Sequence, residues 1–375
     1  MQNNKTTQPV KIAFIIGTRP EVIRIAPIVK EVHARSSEME CVLIHTGQHY
    51  SPNMREELIA DLNIQVKVDF IELAERIPYL QLGEMIAKTG KLLENIKPSM
   101  VCVWGDTNSS LAGALAANKL QLPLCHIESG CRSYDRRMPE EHNRILIDVI
   151  SDLLMPLSFN DKKNLEDEKI KGQISWVGDP LFDVFKQEVT GLKSEYKINA
   201  ERPYCLVTLH RAENVDNKQT LTRIFNALNQ INDYDVIFPI HPRTLKMATD
   251  YNLLDNLKAN PRVKIKEPLS YHELLGFLLS SSFVITDSGG VQKEAYYAQK
   301  PCITVRKSTE WVDTQRLGVN IVIDPELKDF ENKMGTTINS IKEIEKIFAI
   351  IQEKPYGDGS SSKLITNLLL EYNNN

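Results

Sequence analysis

Two stretches of this chain concentrate side chains that do chemistry. In DSGGVQKEA (287–295), Asp287 and Ser288 close an expected strand, Gly289 and Gly290 admit close backbone approach, and a helix begins at once. Exposed N–H groups and the positive helix terminus there favour a phosphate. A tight strand-to-helix turn without a ligand is the plainer reading of the same residues. Glu294, about one turn further on, is a candidate acceptor for ribose hydroxyls. Arg19 and Arg306 are candidates to neutralise a diphosphate, because a guanidinium fork matches phosphate oxygens. The second stretch, HIESGCRSYDRRMPEEHNR (126–144), follows directly on the apolar run LQLPLC, and more than half of its side chains are His, Asp, Glu or Arg. A solvated loop is the ordinary meaning of a charge run; its place just after a buried strand sets this one apart.

Other polar clusters occupy the same kind of position. GTRPE (17–21), GDTNSS (105–110), LHRAEN (209–214) and IHPRT (240–244) each end a strand or turn into a helix. Each alone is explained by capping residues. Their convergence on strand ends points to a ligand, because open α/β sheets bind at the carboxyl ends of their strands. Gly17-Thr18-Arg19 lacks the G-x-G-x-x-G spacing, so no dinucleotide redox cofactor is expected. The six cysteines form no CxxC pair, and four lie in apolar runs as small buried hydrophobes. No metal site is expected, and nothing in the sequence activates Cys131 as a nucleophile.

The elements that must position these groups are legible as short β-rich runs alternating with helical patterns. VKIAFIIG, CVLIHTG, the run around Val68 to Ile71, VCVWG and LPLCHIE are strands of a first series, with the longest intervening helix at 79–96. PYCLVTLH, YDVIFPIH, RVKIKEP, FVITDSGG, KPCITV and VNIVID form a second. This alternation predicts parallel sheets covered by helices, in two doubly wound, Rossmann-like domains facing across a cleft. At 375 residues, 42% hydrophobic and 25% charged, the chain is of ordinary globular composition and long enough for two cores. The polar stretch 180–202 is expected to be the linker. The expected domains are 1–184, 185–358 and a final helix, 359–375, beyond the PYGDGSSSK break. A net charge of −4 gives no nucleic-acid footprint. No apolar segment reaches the roughly 18 to 20 residues that span a bilayer, and the polar start MQNNKTTQPVK has no signal-peptide core. The expected location is the cytoplasm.

Taken in order, GTRPEVIRIAPIV, GDTNSSLAGALAA, HIESGCRS, MPEEHNR, LHRAEN, HPR and DSGGVQKEA resemble the non-hydrolysing UDP-N-acetylglucosamine 2-epimerases over nearly the whole chain. The resemblance implies two Rossmann-like domains with the nucleotide sugar between them, on the plan of phosphorylase-type (GT-B) glycosyltransferases. It also implies a last helix that returns to the amino-terminal domain, a homodimer and no cofactor. Carried over by motif, Asp106, Glu128, Glu140 and His210 match the family's catalytic set. Glu128 and Glu140 would be acid/base carboxyls, Asp106 would position or deprotonate substrate, and His210 would assist the departing phosphate. Arg19, Ser288, Gly289, Gly290, Glu294 and Arg306 match UDP-binding positions, and Arg24 replaces a Lys while keeping its charge. His241 and Arg243 would lie near the cleft, and Arg132, Arg136, Arg137, Arg144 and Asp135 would pair with the carboxylates or with one another. On the plainer reading of MPEEHNRILID, Pro139 starts a helix whose first turn suits acids; both readings can hold together for Glu140 and Glu141.

The sequence also departs from the family. HRAEN and GQHYSPNM, with Ala212 and Tyr50, stand where many members carry residues of an activating second nucleotide-sugar site. Leu269 and Leu274 replace a Gln and a Phe that often flank the base. VQKEAYY and STEWVD look more like relatives acting on UDP-2,3-diacetamido-glucuronate, for which Lys293 or Lys307 would meet the sugar carboxylate; on the plainer reading both lysines simply face solvent. GTRPEVIRIAPIV looks more like the N-acetylglucosamine enzymes. The expected reaction is UDP-GlcNAc to UDP-ManNAc, with the diacetamido-uronate as closest alternative and a glycosyltransferase as a more distant one.

Overall fold

The computed structural model describes residues 9–48, 66–196, 198 and 200–374; the side chains of Arg19, Pro20 and Asn374 lie outside that description. Two compact units result, one from Met1–Val184 with Pro355–Asn375, the other from Phe185–Lys354.

In the first unit the described strands are β1 (Val10–Ile16), β2 (Met39–His45), β3 (Lys67–Phe70), β4 (Met100–Trp104), β5 (Leu124–Ile127), β6 (Leu153–Met155) and β7 (Gln173–Ile174). They pair in parallel in the order β3-β2-β1-β4-β5-β6-β7. The second unit holds β8 (Tyr204–Thr208), β9 (Asp235–Pro239), β10 (Val263–Lys266), β11 (Phe283–Thr286), β12 (Cys302–Thr304) and β13 (Asn320–Val322). Their order is β10-β9-β8-β11-β12-β13, again parallel throughout. Continuous apolar runs suit strands buried on both faces. β4, for example, is buried at every residue.

Strand order reverses between β1 and β4 in one sheet and between β8 and β11 in the other, and such switch points open a crevice at the strand ends. GTRPE and GDTNSS leave the first pair; LHRAEN and TDSGG leave the second. The helices that follow start on strong signals. Thr18 and Glu21 form a capping box ahead of Arg19–Ala34, Thr107 caps Asn108–Lys119, and Ser288 caps Gly289–Tyr297.

Two features differ from expectation. The stretch 180–202 begins with a helix, Pro180–Gly191, and a short 3-10 turn, Ser194–Tyr196. Apolar Leu181, Phe182, Val184, Phe185 and Val189 recur at helical spacing among its polar residues, and the boundary between the units falls inside it. β6 and β7 were not expected from the sequence; at three and two residues they are too short to show a period. The last helix, Ser361–Asn374, sets Ile365, Leu369 and Leu370 into the core of the first unit with Ile12, Phe14 and Val22. Backbone N–H groups of Ser361 and Ser362 donate to Asp183 at 3.0 and 2.7 Å, which caps that helix.

Candidate active site

At the β1/β4 switch point the two loops interlock. A Cβ on Gly17 would overlap the Ser109 and Thr46 side chains, so only glycine allows this approach. Buried Glu21 accepts from Gly17 N and Thr18 N, both at 2.8 Å, and from Thr18 Oγ1 at 3.0 Å. Its other oxygen accepts from Thr107 Oγ1 at 2.7 Å and Ser110 Oγ at 3.2 Å. Burial nevertheless raises its carboxyl above the ordinary value.

This knot holds the GDT loop in place. One turn along the first helix, Arg24 Nη1 meets Glu128 Oε2 at 2.9 Å, and the indole N–H of Trp104 donates to the same oxygen at 2.7 Å. Asp106 pairs with Arg144, and its carbonyl accepts from Asn143 at 2.9 Å. Burial raises the Asp106 carboxyl; Arg144 opposes this, and the nearby charges of Glu128 and Glu140 add to it. Asp106, Glu128, Arg24 and Arg144 thus stand together, with Glu140 exposed at the start of helix Pro139–Ile150 and within electrostatic reach.

The charge run of 126–144 resolves into pairs. Glu141 is buried and takes Ser133 N at 2.9 Å, Tyr134 N at 2.9 Å and Arg144 at 3.1 Å, which secures the loop. Arg132 pairs with Asp148 at 2.7 Å and Glu168 at 2.6 Å, while Arg137 holds Asp135 at the surface. His126 is fully buried between Asp148 at 2.7 Å and the Gly105 carbonyl at 2.9 Å, so it braces the loops from behind.

In the second unit Asp287 is fully buried and gathers the LHRAEN loop. It accepts from His210 N at 3.1 Å, Arg211 N at 3.0 Å and Asn214 Nδ2 at 3.1 Å, and His210 Nδ1 lies 3.3 Å away. Burial works against its charge, yet the donors from His210, Arg211 and Asn214 outweigh it and hold the carboxyl below its ordinary value. The His210 side chain stays 38% exposed and faces His241, with ring centroids 5.6 Å apart. Ser288, Gly289 and Gly290 open the next helix as expected from their types, and Trp311 Nε1 donates to the Gly289 carbonyl at 2.9 Å. Arg306 is held by Glu310 at 2.9 Å and Glu213 at 3.6 Å. Burial pushes the Glu294 carboxyl up to about 7, with the Tyr271 hydroxyl bonded to it.

In the sequence Asp287 reads only as a strand end and Glu21 only as the last residue of GTRPE; the capping box in TRPE is the local signal for Glu21. Arg243 pairs with exposed Asp216. Arg19 begins the first helix, and its side chain, like Tyr50, lies outside the described residues.

A family model for UDP-N-acetylglucosamine 2-epimerase matches residues 30–370. The chain belongs to that family. UDP-N-acetylglucosamine 2-epimerase of Methanococcus maripaludis is 38% identical to it, over 96% of this chain and 98% of the relative. UDP-2,3-diacetamido-2,3-dideoxy-D-glucuronate 2-epimerase of Pseudomonas aeruginosa is 37% identical, over 96% of this chain and 99% of its own. The crystal structure of Methanocaldococcus jannaschii UDP-GlcNAc 2-epimerase in complex with UDP-GlcNAc and UDP is 36% identical, with a TM-score of 0.72 over 96% of this chain and 100% of that one. As a UDP-sugar 2-epimerase the chain is an isomerase. Among the described residues no helix is long and apolar enough to cross a membrane.

Proposed function

We propose that this epimerase interconverts UDP-GlcNAc and UDP-ManNAc by eliminating and re-adding UDP, supplying surface-polysaccharide precursors in the cytoplasm as a homodimer. The C2 proton of an N-acetylhexosamine is not beside a carbonyl, so direct removal would leave an unstabilised carbanion. Elimination avoids this. The C1–O bond breaks with its electrons going to the diphosphate, a carboxylate takes the C2 proton, and a C1=C2 double bond forms in a 2-acetamidoglucal. Re-addition of UDP with protonation from the opposite face gives the epimer.

Such a route needs carboxyls beside the sugar and cations for the separating charge. The observation that carries the reading is the group of Asp106, Glu128 and nearby Glu140 at the β1/β4 switch point, interleaved with Arg24 and Arg144. Glu128 and Glu140 serve as proton carriers and Asp106 positions the substrate. His210 assists departure of the diphosphate, which the Ser288–Gly290 turn, Arg19 and Arg306 hold, while Glu294 accepts from the ribose. Lys293 is buried with its ammonium 3.6 Å from the Trp311 ring centre, and Lys307 pairs with Glu326 at 2.7 Å. Neither offers a free cation to a sugar carboxylate, which favours the uncharged N-acetylhexosamine. Exposed Leu146 and Val149 on helix Pro139–Ile150 support a dimer contact.

Proton NMR of the protein with UDP-GlcNAc in deuterated water tests this. Deuterium should appear at C2 together with a ManNAc signal. Turnover of the diacetamido-uronate alone would refute the substrate, and free UDP without an epimer would refute the reaction. Glu128→Gln should abolish exchange while UDP affinity stays within a few-fold; loss of UDP binding would make Glu128 a nucleotide ligand instead.

A further inference from the structure

We propose that Trp104 is a positioning residue for proton exchange at Glu128: its indole N–H and the Arg24 guanidinium occupy Oε2 of that carboxylate and so commit Oε1 to the sugar. This rests on the reading of Glu128 as a carboxyl that exchanges the C2 proton.

Trp104 ends β4 and is 2% exposed. A phenyl ring would also fill this part of the core, but an indole brings a donor that must find an acceptor when buried. Its register partner on β5 is Ile127, the residue just before Glu128, so the sheet itself sets the indole against that carboxyl. The N–H reaches Oε2 at 2.7 Å, and Arg24 Nη1 reaches the same oxygen at 2.9 Å. A guanidinium never gives up its proton in a protein, so a proton arriving at Oε2 would face two N–H donors. The proton therefore travels through Oε1, to which no hydrogen bond runs from the described residues.

The backbone reinforces the assignment. Glu128 has φ 73°, a conformation that costs a non-glycine residue energy and persists where the surroundings impose it. Gly105, at φ 61°, lies so close that a Cβ there would stand 3.1 Å from Glu128 Oε2. The niche around this oxygen is thus defined on three sides, by an indole, a guanidinium and a bare glycine.

Hydrogen bonds to a carboxylate favour its ionised form, and the indole supplies one of the two donors that reach Oε2 of Glu128. The charged and titratable groups around it are Arg24, Asp106 with its partner Arg144, and Cys131. All of them remain in a variant changed only at Trp104. The test replaces Trp104 with 3-benzothienylalanine, which keeps the ring shape without the N–H, and in parallel uses Trp104→Phe. C2 deuterium incorporation into UDP-GlcNAc is followed from pH 5 to 9, and UDP is titrated by calorimetry. The acid limb of kcat/KM should move up by about 0.5 to 1 pH unit and kcat fall about tenfold, as the loss of one hydrogen bond predicts. UDP affinity should hold within about twofold. An unmoved acid limb in the benzothienyl variant would overturn the proposal and leave the epimerase reading intact. Full exchange by Glu128→Gln would instead remove Glu128 from the chemistry, and the role of Trp104 with it.

Discussion

A buried aspartate with donors converging from one loop is a device for aiming something, and at Asp287 the thing aimed is His210. Nδ1 of the ring lies toward the carboxylate, and the ring stays 38% exposed. Asp287→Asn would keep the shape and offer an amide where the ring needs an acceptor. By analogy with other Asp–His pairs, kcat should fall about 10²- to 10⁴-fold with UDP affinity little changed. A His210→Gln, Asp287→Asn double variant should be no slower than His210→Gln alone; additive losses in steady-state kinetics would mean that Asp287 only supports the fold. In the sequence Asp287 reads as the end of a strand, and nothing local connects it with a loop 77 positions earlier; the link exists only once β8 and β11 pair. Glu140 and Glu141 teach the same lesson. Composition puts both in a first helical turn, and the fold alone decides that Glu141 is buried in loop bonds while Glu140 faces out. Glu294 adds a pH prediction. Its carboxyl is raised to about 7 from 4.5 by burial, so the neutral form suits the folded state. Its stabilising contribution is complete below pH 4.5 and is lost as pH rises through about 7. Thermal melts should show the wild type losing stability from pH 5 to 8 relative to Glu294→Gln; parallel curves would count against this burial effect.

At the scale of elements, strands such as β1, β4 and β11 were legible because each is an apolar run closed by Gly, Asp or Thr, and because parallel strands covered on both faces need no alternation. The elements that the sequence hides are hidden for physical reasons. β6 and β7 are too short to carry a pattern, and Pro180–Gly191 hides its apolar face among Asp, Lys, Gln and Glu. The GTR turn shows an element constrained by its neighbour rather than by its own propensity. Gly17 has no need of an unusual backbone here; it needs the absence of a side chain, since Ser109 and Thr46 fill the space. Gly17→Ala should therefore destabilise the protein by about 1–3 kcal/mol through overpacking. It should also slow turnover, because the displaced Ser109 neighbours Thr107 and the Asp106 loop. Denaturant titration and kinetics would check both; an unchanged midpoint would show that the two loops part easily.

For the whole molecule, the chain's division into two units with a late return to the first makes stability local. Leu369 comes almost at the chain's end yet is fully buried beside Ile12, Phe14 and Ile365, residues of the first unit. Among the described residues, none of the second unit's core belongs to that cluster. Leu369→Ala removes buried methyl groups and leaves a cavity, which costs about 2–5 kcal/mol when neighbours relax only partly. Because β1 and the helix Arg19–Ala34 share this core, the penalty should fall on the elements that carry Arg24, Trp104 and Glu128. Hydrogen exchange read by mass spectrometry should show faster exchange in β1, β4 and the last helix, with β8, β9 and β11 unchanged. Calorimetry should show one transition moving down while the other stays. Equal loss of protection in both sheets would mean that the units unfold as one, and that the chain's last helix stabilises far more than the core it enters.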